Sequence, residues 1–225
     1  MKGTLYVIAT PIGNLDDISL RAVKILSESD IIAAEDTRTT KKILNKYGIE
    51  KKMISYNDNN EISKTEMLIE SLELGNTVAL VSDAGTPCIS DPGYRVVKKA
   101  QELSIVVKSV PGPSSVVAAL SISGLPSNRF FFEGFLPKKK GRKKRIEYLK
   151  EIDETVIIFE SPYRVNKTLL DIYNIIGERY VTICREMTKI HEETIYGKLS
   201  SLVDIFSDKK NKGEFVILIS KDGIN

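Results

Sequence analysis

Histidine occurs once in this 225-residue chain, at His191, and cysteine only twice, at Cys88 and Cys184. Two distant cysteines make no disulfide framework. With a single imidazole they make no Cys/His metal set either, which excludes a zinc deaminase and points to no bound metal. A serine nucleophile would have to rely on His191, and no nucleophile elbow accompanies it. Phosphate-binding fingerprints are missing as well. There is no G-x-x-x-x-G-K-[ST] and no G-x-G-x-x-G after the first apolar run, which argues against a nucleotide triphosphatase or an ordinary dinucleotide enzyme. Long apolar runs are absent. The one near the start is interrupted by Pro11 and Gly13; it is too short to span a membrane, lacks a small-residue cleavage site, and reads as a first strand. The cysteine usage leads us to expect a reduced, cytoplasmic compartment. A composition of 42% hydrophobic and 28% charged residues is that of a globular protein of one large domain or two modest ones.

What is present is organised around one stretch, Val81 to Gly93, which holds two Gly, two Pro, two Asp and two Ser. It follows an apolar run, Thr77 to Val81, in a strand expected over Thr77–Ser82, and precedes a helical pattern from Tyr94. Upstream, strands are expected at Thr4–Ala9, Ile31–Ala34 and Met53–Tyr56, and a further one at Ile105–Val110. Helical patterns lie between them, one capped by Asp16 or Asp17, one starting at Thr39 or Thr40, and one opened by a Ser63/Glu66 capping box. Alternating strands and helices with short links predict a mostly parallel five-stranded sheet with helices on both faces. Residues 1–124 are read as this first α/β domain, and residues 125–225 as a second α/β domain with a smaller mixed sheet. In the second domain Tyr180–Cys184 and Glu192–Tyr196 have no helix between them and are expected to pair antiparallel.

In a parallel sheet, ligands bind beyond the carboxyl ends of the strands. The unusual residues fall there: Pro11–Asn14, Glu35–Arg38, Ser82–Pro92 and Pro111–Ser115, with Glu160–Arg164 and Arg185–Lys189 in the second half. Each alone is read first as a turn, a cap or a local ion pair, and Asp83 and Asp91 in particular as caps. The clustering carries more than any one loop. Positive charge is also concentrated. The formal net charge is +3, yet Lys138, Lys139, Lys140, Arg142, Lys143, Lys144 and Arg145 lie in one run, without which the chain would be mildly acidic. Such density suggests nucleic-acid contact. The neighbouring Phe130-Phe131-Phe132 run is read as core rather than as a base-stacking platform.

Taken in order, the segments TLYVIATPIGNLDDIS, AAEDTRTT, VALVSDAGTPCISDPG, PGPSS, FFEGFLPKK, FESPYR, REMTKIHEE and GEFVIL resemble the tetrapyrrole-methylase-like family, and within it the members that methylate small-subunit ribosomal RNA. Cys88 stands where the family usually has Gly, Ser115 where Ala is usual, and Tyr163 where His is usual. The resemblance implies a homodimeric S-adenosylmethionine-dependent enzyme of two α/β domains. Its donor would lie in the cleft that residues 125–225 close. The acceptor would be the ribose 2′-hydroxyl of a cytidine in the decoding region of the small-subunit (30S-type) ribosomal RNA. Carried over by motif, Ile12, Gly13, Gly85, Thr86, Pro87, Ile89, Ser114, Ser115 and Val116 would line the donor site, with Tyr163 and Met187 on its other wall. A tetrapyrrole or protein substrate on the same fold, or a non-catalytic ribosome-binding module, are the other readings. The basic run and the EDTR and ESPYR segments favour RNA.

Glycine at 85 would let the backbone approach the donor, Pro87 would fix the turn, and a helix starting at Ser114 would offer free N–H groups. A ribose hydroxyl is a poor nucleophile, so a proton acceptor is useful. Glu35, Asp36, Asp83, Glu160 and Glu186 all fall at strand ends. Asp36 or Glu186 is taken as the catalytic residue, with Arg38, Arg185 and Lys189 holding phosphate or ribose beside the basic run.

Overall fold

The computed structural model describes residues 1–207 and 211–221. The chain divides into two compact units, Met1–Ser114 and from Ser115 onward. The division falls ahead of the expected 124/125 link. The helix Ser115–Ile122 goes with the second unit, where it packs on that unit's central strand.

The first unit runs β1 (Thr4–Ile8), α1 (Leu20–Glu28), β2 (Ile31–Ala34), α2 (Thr37–Lys46), β3 (Met53–Ser55), α3 (Glu61–Glu73), β4 (Val78–Val81), α4 (Tyr94–Glu102) and β5 (Val106–Val110). Its five strands are parallel throughout, in the order β3-β2-β4-β1-β5. β2 and β4 are buried along their whole length, as unbroken Ile/Val/Ala/Leu runs require when both faces are covered. One face packs Leu5, Leu68, Leu72, Leu80 and Val96 under α3 and α4. The other packs Ile8, Ala22, Leu26, Ile32 and Ile43 under α1 and α2.

Besides α2, which begins at Thr37 rather than at Thr39 or Thr40 because Asp36 caps it, two expected helix starts differ. Asp16 and Asp17 lie in a short 3-10 turn, and α1 is capped by Ser19, whose hydroxyl accepts from the Ala22 N–H. α3 begins at Glu61, so Ser63 sits inside it and bonds back to the Asn60 carbonyl instead of capping. In both cases several oxygen-bearing side chains precede the apolar face, and tertiary position chooses among them.

The second unit contains α5 (Ser115–Ile122), β6 (Phe130–Phe135), α6 (Arg142–Lys150), β7 (Thr155–Glu160), α7 (Val165–Ile176), β8 (Tyr180–Arg185), β9 (Glu193–Lys198), α8 (Leu199–Ser207) and β10 (Phe215–Ser220). Its sheet is mixed, in the order β6-β7-β10-β8-β9, with β6 and β7 parallel and the other pairs antiparallel. The expected β8–β9 pair is there. Every strand has six residues, so this sheet is not the smaller of the two. β10, wholly buried, lies at its centre. Ile146, Leu169, Ile172, Leu202 and Phe206 cover one face.

Gly93, the N-cap of α4, has φ +144°, and a Cβ there would come within 2.5 Å of the Cys88 Sγ and 2.9 Å of the Leu80 Cδ2. Backbone strain and overpacking act together at this position. Gly93→Ala is expected to destabilise the protein by about 2–4 kcal/mol, read from urea unfolding, whereas alanine at the unobstructed Gly197 should cost much less.

Candidate functional site

The register of the first sheet sets its strand-end loops level. Ile8 pairs with both Val81 and Val110, and Ala34 pairs with Val81. The segments after β1, β2, β4 and β5 therefore leave one edge of the sheet together. They are tied by backbone bonds. Thr10 N–H donates to the Gly85 carbonyl at 2.8 Å, and Gly85 N–H returns one to Thr10 at 3.0 Å. The Thr10 hydroxyl donates to the Ser82 carbonyl at 3.0 Å, and the Thr86 hydroxyl to the Pro113 carbonyl at 3.2 Å. A Cβ on Gly85 would lie 3.5 Å from the Ile12 Cγ2 and 3.9 Å from the Pro113 oxygen.

The structure thus brings Ile12, Gly85 and Thr86 together, next to the Pro113–Ser114 segment. Gly13 is exposed beside Ile12, Pro87 is buried, and Ile89 is exposed. The glycine requirement at 85 has a cause that sequence reading missed. Its φ is +84° and the added Cβ meets only ordinary contacts, so conformation, more than closeness, excludes a side chain. Cys88 and Ser90 in the same loop also have positive φ, +71° and +64°. A glycine would sit at 88 without strain; here a cysteine bears it. Ser115 and Val116 open α5 of the second unit. Tyr163 and Met187 also belong there, the first almost fully exposed and the second buried.

The carboxylates of the first unit form a linked set. Asp36 N–H donates to Asp83 Oδ1 at 3.0 Å, and Asp83 N–H to Glu35 Oε2 at 3.1 Å, so the loops after β2 and β4 hold each other. Asp36 itself caps α2. It accepts from the Arg38 N–H at 2.8 Å and from the Arg38 Nη2 at 2.6 Å. These bonds hold its carboxyl at about 2, which makes it a weak proton acceptor. Burial and neighbouring carboxylates push Glu35 and Asp83 up. Burial, then Glu35, raises Asp91 to about 7, against the opposing hydrogen bond of Ser82. Asp91, read from sequence as a cap, is the most perturbed of the four. Its loop position was visible in S-D-P-G, but its burial among acids was not.

Glu186 is engaged in the same way as Asp36. Its carboxylate accepts from the Lys189 Nζ at 2.9 Å and the Glu214 N–H at 3.0 Å, and Lys189 draws its pKa down. Glu160 is buried, accepts from the Thr168 hydroxyl at 2.6 Å, and lies 3.5 Å from the Arg164 Nε. The expected proton acceptors at Asp36 and Glu186 are therefore committed to ion pairs. Glu35, Asp83 and Asp91 have the raised affinity that such a role needs.

The basic run does not act as one patch. α6 begins inside it, and Arg142 turns inward. Its Nε donates to Asp171 at 2.8 Å, one Nη to the Thr168 hydroxyl at 2.8 Å and the other to the Pro137 carbonyl at 3.2 Å. A buried guanidinium so enclosed cannot turn to a phosphate without stranding Asp171. Arg145 forks onto Glu133, at 2.7 Å from its Nε, and stacks 4.7 Å from the Tyr148 ring centroid. Lys143 is exposed and lies 3.9 Å from Glu147. Lys138, Lys139, Lys140 and Lys144 are exposed. Of the other expected phosphate holders, Arg38 is paired with Asp36, Arg185 with the Lys212 carbonyl and Glu193, and Lys189 with Glu186 and Glu214. Among the described residues no group of three or more His, Cys, Asp or Glu is placed to hold a metal ion, and no helix is long and apolar enough to cross a membrane.

The raised Asp91 pKa has a stability consequence. The unfolded carboxyl titrates near 3.8 and the folded one near 7, so between these values the native state binds more protons and stability falls as pH rises. Asp91→Asn removes that loss. Its stability relative to the parent should improve from pH 4.5 to pH 8, by roughly 2–4 °C in Tm for each kcal/mol regained. A gain that is the same at both pH values would contradict the burial of this charge.

The chain matches the family described as Tetrapyrrole (Corrin/Porphyrin) Methylases over residues 4–203. It is similar to the ribosomal RNA small subunit methyltransferase I of Thermotoga maritima, 47% identical over 218 residues that cover 97% of this chain and 98% of that one. The enzyme of that name from Halalkalibacterium halodurans is 48% identical over 223 residues, covering 99% of this chain and 77% of the other. Among solved structures, diphthine synthase superposes with a TM-score of 0.75 at 16% identity, covering 97% of this chain and 90% of that one. A uroporphyrin III C-methyl transferase from Thermus thermophilus superposes at 0.68 with 14% identity, covering 97% and 98%. At those identities the likeness is one of fold, and it joins enzymes whose names give quite different substrates. With the family match extending over most of its length, the chain belongs to the tetrapyrrole (corrin/porphyrin) methylases.

Proposed function

We propose that this protein transfers a methyl group from S-adenosylmethionine to small-subunit ribosomal RNA, at the ribose 2′-hydroxyl of a cytidine in the decoding region. The observation that carries the reading is the near-full-length similarity, at 47% identity, to a relative named as a small-subunit ribosomal RNA methyltransferase. The resemblance of the strand-end motifs supports the finer target. We also propose that it works as a homodimer in the cytoplasm.

The first unit's loops suit this donor. It is a zwitterion with a purine and no phosphate, and these loops have no phosphate cradle. The backbone from Thr86 to Ser90 lies outside any strand. Half-buried Ile12 and exposed Ile89 offer apolar surface for the purine, and Gly85, Thr86, Pro87 and the Pro113–Ser114 segment shape the turn. When bound, S-adenosylmethionine supplies an activated methyl group on its sulfonium sulfur; the protein's part is to orient the ribose and take up its proton. Asp91, with Glu35 and Asp83, is assigned that second task in place of Asp36 and Glu186. A group titrating near neutrality is best matched to it.

The direct test is methylation of small-subunit particles and of naked RNA, followed by mass-spectrometric mapping of the modified ribose. A methyl group on a base, or none on RNA, would overturn the reading. Gly85→Val places a β-branched residue at φ +84° and is expected to weaken S-adenosylmethionine binding at least tenfold by calorimetry. An unchanged Kd would move the donor elsewhere. The methylation rate should rise with pH through about 7, and Asp91→Asn should remove that rise.

A further inference from the structure

The second unit carries an exposed aromatic ledge at the end of β6 and β7. β6 and β7 are parallel, and Phe135 pairs with Phe159 in their register. The Phe135 and Phe159 rings meet edge to face at 5.7 Å, and Phe132 meets Phe159 at 5.0 Å. Phe159 and Phe132 are partly buried, while Phe135 is 57% exposed. A phenylalanine backed by Phe159, which Phe132 supports in turn, and more than half exposed presents an apolar face to solvent. Four residues past Phe159, Tyr163 is 95% exposed.

The two exposed rings lie on segments that are bonded together. Arg164, next to Tyr163, donates from Nη2 to the Leu136 carbonyl at 2.7 Å, and Arg142 donates to the Pro137 carbonyl at 3.2 Å. The turn that follows immediately is Lys138-Lys139-Lys140, all exposed. Two guanidiniums thus anchor the backbone of a lysine turn whose stem bears Phe135 and whose anchor neighbours Tyr163. Aromatic faces beside an exposed cationic cluster are what unpaired nucleotides require: bases stack on the rings and phosphates meet the ammonium groups.

We propose that Phe135, Tyr163 and Lys138–Lys140 form a docking surface for single-stranded RNA, on which splayed bases stack. This deepens the RNA reading and rests on it. The five lysines and two arginines of the basic run then divide by role. Lys138, Lys139 and Lys140 touch phosphate, and Arg142 positions their turn.

The test uses the full-length protein and a single-stranded RNA of about ten nucleotides containing 2-aminopurine, with its duplex as control. Phe135→Leu keeps the packing on Phe159 but removes the stacking face; Tyr163→Ala removes the other ring. Each is expected to weaken single-strand binding about tenfold and to reduce fluorescence quenching while leaving duplex binding unchanged; Phe135→Leu should also leave the calorimetric signal of S-adenosylmethionine unchanged. Phe135→Tyr should retain affinity. Replacing Lys138–Lys140 with Gln should lower the salt slope by about 2. Unchanged single-strand affinity in both ring variants would overturn the proposal. So would an equal loss for duplex, or a split of a dimer in sedimentation with RNA affinity intact. A parent protein that binds and quenches the RNA but methylates none of it would refute the proposed function and leave the surface standing.

Discussion

The guanidinium of Arg142 lies where a cation is poorly solvated, buried beside the apolar core of its unit, and it is enclosed by three acceptors from two segments. Asp171 on α7, the Thr168 hydroxyl one turn earlier, and the Pro137 carbonyl each take one of its N–H groups. Thr168 then passes a bond to the buried Glu160 at the end of β7. Asp171 also meets Lys167 at 3.2 Å. Burial works against its charge, but the two cations outweigh that and leave its pKa below the usual range. Removing any one member strands another, which is why such networks fix geometry even where they contribute little net stability. The end of β7, the start of α6 and the chain leaving β6 are located relative to each other by this network, to which Arg164 adds its bond to the Leu136 carbonyl.

That constraint explains why adjacent residues of one basic run differ so much. Arg142 is the first residue of α6, and Ile146 and Leu149 on the same side of the helix are buried. A residue four before a core isoleucine points inward by helical periodicity, and Lys143 and Lys144 point away. Arginine suits the inward position because its planar fork can satisfy three acceptors at once. Lysine suits the exposed ones, as a flexible and well-hydrated charge. The run reads as uniform only when its charges are counted without their helical phase.

Much of the architecture was legible from residues. β2 and β4 show as unbroken apolar runs, the β8–β9 pair shows in the lack of a helix between them, and the strand-end location of Gly85, Thr86 and Pro113 follows from the βα alternation. Helix starts were less legible, since Asp16, Asp17 and Ser19 are all competent caps and only packing selects Ser19. The chemistry of the carboxylates was least legible. Asp36 and Asp91 have the same side chain in similarly polar loops. One is bonded by an arginine two residues away, and the other is buried beside acids brought from β2 and β4 across long sequence separations. A pKa is set by such neighbours, and they exist only after folding.

The loop after β4 also sets the reactivity of the Cys88 thiol. Cys88 sits at positive φ against Gly93, and burial pushes its thiol up to about 11; Cys184, inside β8, is raised as well. At neutral pH Cys88 then stays a thiol, and the thiolate is the form that attacks alkylating agents and peroxides. The two cysteines are therefore chemically quiet. A new cysteine placed on an exposed surface would be the preferred point of attachment for a spectroscopic label, with the native pair left in place.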